Sequence, residues 1–167
     1  MDMGSKRSEI QTMLKLTKKT DYGLISLKHL AMHRGQGSAS AKELAEAYRI
    51  PMPMLAKVLQ KLVREGFLAS VQGTNGGYQL ARDPATMTAL EVIRAIDGPI
   101  ILTNCFAAHG DCDLSRQCTV REPLRRVHEE ILKLLDSITI SDLAAEERPG
   151  AGGALKSVPI ALTMLAH

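Results

Sequence analysis

Two helix-start signals thirteen residues apart do most to limit what this chain can fold into. Ser40-Ala41-Lys42-Glu43 is a capping box, in which the Ser hydroxyl and the Glu carboxylate each satisfy a free backbone donor at a helix start. That helix is expected to run to about Arg49 and to bury Leu44, Ala45 and Tyr48. Ile50-Pro51-Met52 then breaks the chain, and Pro53, pre-set for a first helical turn, opens a second helix to about Glu65, stopped by Gly66. Two short helices joined by so few residues read as a helix-turn-helix. Ahead of them, Tyr22, Leu24, Ile25, Leu27, Leu30 and Ala31 recur at helical spacing from Thr20, with an end near Gly35 and Gly37. After them, Phe67–Val71 and Tyr78–Ala81 flank the Gly-rich tip Gln72-Gly73-Thr74-Asn75-Gly76-Gly77, a hairpin in the place of a wing. The order helix, helix-turn-helix, hairpin predicts a mainly α chain with a small β-hairpin wing.

The remainder divides by composition. Thr88-Ala89-Leu90-Glu91 is a second capping box, starting a short helix with Val92, Ile93 and Ile96 inward and Asp97-Gly98-Pro99 at its end. A long helix is predicted from about Arg121 to Ser137, with Leu124, Val127, Ile131, Leu134 and Ile138 spaced by threes and fours, which suits a dimer seam. The expected organisation is an N-terminal extension over 1–13, without fixed structure, and a winged helix-turn-helix over 14–83. A short helix and cysteine loop over 84–119, a dimerisation helix over 120–144 and a flexible tail over 145–167 follow.

Charge points the same way. The net charge of +3 hides a basic first half, with 13 Lys/Arg against 7 Asp/Glu in residues 1–83 and 8 against 11 beyond. A polyanion would dock on that half. No segment reaches the roughly 18 consecutive apolar residues of a membrane span, and the polar N-terminus carries no signal-peptide stretch. A cytoplasmic, non-membrane protein is expected.

All three cysteines, Cys105, Cys112 and Cys118, fall within 14 of the 167 positions. An odd number cannot all close as disulfides within one chain. Thiolates spaced by six and five residues in a Gly/Asp-containing loop suit a soft metal centre, zinc or an iron-sulfur cluster. Zinc pairs usually sit closer, two to four residues apart. The five histidines are dispersed, and neither a Rossmann fingerprint, a P-loop nor a nucleophile elbow is present, so the chain is not expected to be an enzyme.

Leu16-Thr17-Lys18-Lys19-Thr20-Asp21-Tyr22-Gly23-Leu24, the wing from Ser70 to Leu80 and the cysteine loop together resemble the Rrf-type winged-helix regulators, the IscR and NsrR group. Gly98 to Cys105 and Gly110 to Leu114 look closest to the branch regulating SUF iron-sulfur assembly. The resemblance covers about residues 14 to 144. It implies a homodimer on palindromic promoter DNA with one iron-sulfur cluster per subunit, [2Fe-2S] preferred over [4Fe-4S], and control of cluster-assembly genes. The alternatives are a nitric-oxide- or redox-sensing repressor of the same family and a zinc-stapled winged helix without sensing. Cys105, Cys112 and Cys118 match the family's cluster thiolates. Some members carry a His three positions beyond the last Cys, where this chain has Arg121, and some use an Asp from the partner's first helix, which Asp21 matches; the resemblance thus implies Asp21 of the partner as the fourth ligand, with His109 and Glu122 as local alternatives. On the DNA side, Met54, Ala56 and Lys57 are expected at base edges, and Lys61, Arg64, Gln72, Thr74 and Asn75 along phosphates and the adjoining minor groove.

Overall fold

The computed structural model describes residues 16–106 and 117–145. The expectations for the N-terminal extension, for His109 and Cys112, and for the tail beyond Ala145 lie outside the described residues.

Helix α1 (Lys18–Met32) starts at Thr17, whose Oγ1 accepts the Thr20 amide at 3.3 Å. The helix thus starts ahead of Thr20, from which its apolar spacing runs. Thr20 is fully buried, and its hydroxyl donates to Asp97 at 2.6 Å, while the Thr17 amide and hydroxyl donate to the same carboxylate at 3.2 and 2.7 Å. A carboxylate at a helix C-terminus opposes the helix dipole, and these charge-assisted bonds offset that cost. They latch the start of α1 to the end of a later helix, α4 (Ala89–Asp97).

Helix α2 (Ala41–Tyr48) forms with both arms of its capping box in place, Ser40 N to Glu43 Oε2 at 2.6 Å and Glu43 N to Ser40 Oγ at 3.1 Å. It buries Leu44 and Ala45, but Tyr48 is 39% exposed, because its ring lies outward against His29. The helix ends at Arg49 in the left-handed region, φ 53°. Helix α3 (Met52–Arg64) follows after Pro51 and buries Leu55, Val58, Leu59 and Leu62 along one face. Three of those four are fully inaccessible, and each such side chain contributes about 1.5–3 kcal/mol by leaving water.

Strands β1 (Leu68–Val71) and β2 (Gly77–Leu80) pair antiparallel, with Leu68 opposite Leu80 and Val71 opposite Gly77. Ala39, just ahead of α2, adds a bridge to Tyr78 through bonds of 3.0 and 2.8 Å. Gly77 lies so close to the Ala39 carbonyl that a Cβ there would overlap backbone. The wing is thus sewn to the start of the helix-turn-helix. Helix α4 (Ala89–Asp97) is started by the Thr88/Glu91 capping box and buries Ala89, Leu90, Val92 and Ile93.

Helix α5 (Arg121–Ser137) packs on α4 and contains no fully buried residue. The chain then breaks, and α6 (Ile140–Ala145), an element absent from the sequence expectation, turns back onto α1. Thr139 and Asp142 cap it reciprocally at 2.9 and 3.1 Å. Ile140 is fully buried, and its amide reaches the Met87 carbonyl at 2.9 Å. The core is aliphatic, built around Leu27, Leu55, Leu59, Leu62, Met87, Val92 and Ile140, with Phe67 at its wing end. Among the described residues no helix is long and apolar enough to cross a membrane.

Candidate nucleic-acid interface and cysteine loop

The outward face of α3 is built by elimination, since its inward face is committed to the core. Met52, Met54, Lys57, Gln60 and Arg64 are exposed and Ala56 is half-buried. Pro51 offers no side-chain cap, and Pro53 has no N–H, so the first turn of α3 projects its positive end without a side chain closing it. Lys61 is half-buried and paired with Glu65 at 3.0 Å, a partner its expected phosphate role did not include. Gln72, Thr74 and Asn75 are all exposed at the wing tip, where Ser38 donates to the Asn75 carbonyl at 2.7 Å. The wing tip is thereby tied to the segment entering α2. Met52, exposed at 46%, was missed among the candidates because the sequence assigned it to the turn.

The cysteine loop is entered through a 3-10 turn, Asn104–Phe106, and left just ahead of α5. Cys105 and Cys118 are half-buried and free of disulfides. The Cys105 sulfur lies 2.9 Å from the Thr103 hydroxyl. Phe106 stacks on His128 of α5, ring centroids 5.4 Å apart, and the His128 Nδ1 is buried without a hydrogen-bond partner among the described residues. Glu122 is committed elsewhere: Arg125 donates to both its oxygens, one through Nε at 2.9 Å, and this bond above all holds the Glu122 carboxyl below the usual range. Glu122 is therefore a poor choice as a metal ligand. Asp21 is exposed in the first turn of α1. Among the described residues no three His, Cys, Asp or Glu side chains converge as a metal site. Cys105 and Cys118, at the two ends of the loop, are soft donors of the kind a thiolate-bound centre uses.

The profile of Rrf2 proteins, described as iron-dependent transcriptional regulators, matches residues 16–146. The chain belongs to the Rrf2 family. This Rrf2 chain is 33% identical over 144 residues to the HTH-type transcriptional regulator NsrR of Geobacillus kaustophilus, covering 86% of this chain and 97% of that one. Its fold is similar to that of CymR, the global cysteine regulator of B. subtilis, at 31% identity and a TM-score of 0.69, over 81% of this chain and all of the other. It is also similar to T. potens IscR, at 29% identity and a TM-score of 0.63, over 80% and 88% of the two chains. Three relatives with three different regulator names lie within a few per cent of one another, which gives the SUF branch no preference. Membership of the Rrf2 family makes the chain a DNA-binding transcriptional regulator, and its relatives are regulators of that kind, not enzymes.

Proposed function

We propose that this Rrf2 regulator is a homodimeric repressor that reads promoter DNA with α3 and the wing and is switched by nitric oxide or thiol redox chemistry at its cysteine loop. The observation that carries the reading is one of continuity. The loop with the accessible thiols Cys105 and Cys118 begins a few residues beyond Asp97, the group that latches α4 to the start of α1, and α1 packs directly on α3. The likeness to NsrR of Geobacillus and to CymR, which in Staphylococcus aureus is also solved in an oxidized form, supports a regulator of this kind.

Each subunit would insert the first turns of α3 into a major groove, with Met54, Ala56 and Lys57 toward base edges and Lys61, Arg64, Gln72, Thr74 and Asn75 toward the backbone and minor groove. Lys57 would donate to guanine O6 and N7, while Met54 and Ala56 would make apolar contacts suited to thymine methyls. Half-sites about 34 Å apart, or a multiple of that, follow from two such helices. The dimer would close through α5, where Val120, Val127 and Leu134 recur every seven residues with exposures of 56, 49 and 48%. Cys105, Cys112 and Cys118 would hold an iron-sulfur centre in the cluster form of the sensor, with Asp21 of the partner subunit as the fourth group the resemblance implies. Such a centre, when bound, supplies a group that nitric oxide and oxidants attack. The chain's own part would be to supply those ligands and to join the loop, through Asp97, to the start of α1.

The test is DNA binding by the anaerobically purified full chain, before and after a nitric oxide donor and, separately, a mild thiol oxidant. Either treatment is expected to weaken promoter binding at least tenfold, and Cys112→Ala to bind DNA without responding. Promoter affinity unchanged by both treatments would overturn the proposal. Iron and sulfide analysis of the same sample assigns the sensor to a cluster or, with neither present, to the thiols themselves.

A further inference from the structure

Away from both the DNA face and the cysteine loop, α1 and α2 bring together a group of side chains that neither uses. His29 stands in the last turn of α1 and His33, four residues on, is its C-cap, their rings stacked with centroids 4.2 Å apart and 25° between planes. Tyr48, the last residue of α2, meets His29 edge-on, and its hydroxyl lies 2.9 Å from the His29 Nδ1. The His33 Nδ1 lies 2.8 Å from the backbone carbonyl of His29. A carbonyl only accepts, so that nitrogen carries the proton and the lone pair of the neutral ring sits on Nε2. Both Nδ1 atoms are thus engaged, and both Nε2 atoms are left without a hydrogen bond among the described residues.

We propose that His29 and His33 form a chelating site, through their Nε2 atoms, for a borderline divalent cation of the zinc, nickel and copper class. Imidazoles at i and i+4 on one helix face are the arrangement in which helices offer paired histidines to such ions, and imidazole nitrogen is a donor this class accepts well. One ring nitrogen tied to a carbonyl or hydroxyl while the other faces the metal is the orientation that outer-shell hydrogen bonds impose on metal-binding histidines. Burial first, and then the neighbouring His33, hold His29 below the usual histidine range, against the opposing pull of Glu43.

Binding requires the stacked rings to turn toward a common point about their second torsions, which are broad for histidine. Water completes the coordination shell, and Glu43 brings a carboxylate within electrostatic reach of His29. A loaded His29 carries its remaining proton on Nδ1 and must donate it to Tyr48, so the ion joins α1 to the end of α2. This is a nitrogen site, chemically separate from the thiols of the loop, and it stands whether or not the loop holds a metal.

The test uses the unsubstituted full chain titrated with NiCl2 and followed by imidazole NMR, where a paramagnetic ion broadens the rings it touches. The His29 and His33 signals are expected to broaden together at the first additions. In calorimetry, His29→Ala and His33→Ala are each expected to weaken this nickel site at least tenfold, with the thiolate-to-nickel absorption of the cysteines unchanged. Sharp His29 and His33 signals at saturating nickel, or a doubly substituted chain that binds as much nickel as the original, would overturn the proposal. The NMR measurement needs no substitution and so does not depend on the variants folding.

Discussion

Glu43 shows how a single side chain can tie local sequence to the pH behaviour of the whole molecule. The backbone amide of Ser40, and then its hydroxyl, hold the Glu43 carboxyl below its ordinary 4.5. A carboxyl whose folded pKa is depressed adds stability above its unfolded pKa and loses it as pH falls through the folded value. Ser40→Ala is therefore expected to cost about 1 kcal/mol at neutral pH and to flatten the acid limb of the stability profile below about pH 4.5, measured by urea unfolding from pH 3 to 7. This cap was legible in the sequence because all of its parts lie within four residues. The Asp97 latch was not, because its partners Thr17 and Thr20 are 80 and 77 residues away. Nothing in Asp97-Gly98-Pro99 distinguishes a long-range acceptor from an ordinary helix stop. Tyr48 failed for a related reason: its helical spacing fits an inward face, and only the position of His29 shows that it turns out.

At the level of elements, α5 carries two apolar rows where the sequence displayed one seam. Leu124, Ile131 and Ile138 are half-buried on the side that packs onto α4, while Val120, Val127 and Leu134 stand exposed. Periodicity reveals that both rows are apolar and cannot say which one the chain's own core takes. Arg125 joins Glu122 and Glu129, and Lys133 joins Glu130, so the polar flank of the helix is saturated with local pairs. Such pairs contribute little each, and the exposed apolar row is what an unpaired α5 leaves in water. Val127→Asp with Leu134→Asp is expected to leave far-UV circular dichroism unchanged and to convert the dimer to monomer in sedimentation. A dimer that survives both charges would move the interface elsewhere. Helix α6 escaped notice because six residues are too few for a periodic pattern, although Thr139-Ile140-Ser141-Asp142 has the reciprocal form of a cap.

For the whole molecule, binding to DNA is an ion exchange as much as a fit of shapes. Each phosphate neutralised lowers the slope of log affinity against log salt by about 0.9. Lys61→Ala is expected to weaken promoter and random DNA almost equally and to flatten that slope by about 0.9, read by fluorescence anisotropy over a salt series. A slope left unchanged would mean that Glu65, its partner at 3.0 Å, keeps Lys61 on the protein even when DNA is bound. The latch at Asp97 has a consequence on this scale that is mechanical. Thr17 and Thr20 clamp that residue, and Gly98 directly after it sits at φ 86°, a conformation costly for any other residue type. A fixed point followed at once by such a turn is an anchored corner: Asp97 holds the start of α1 in place, and the change of direction out of α4 falls on Gly98.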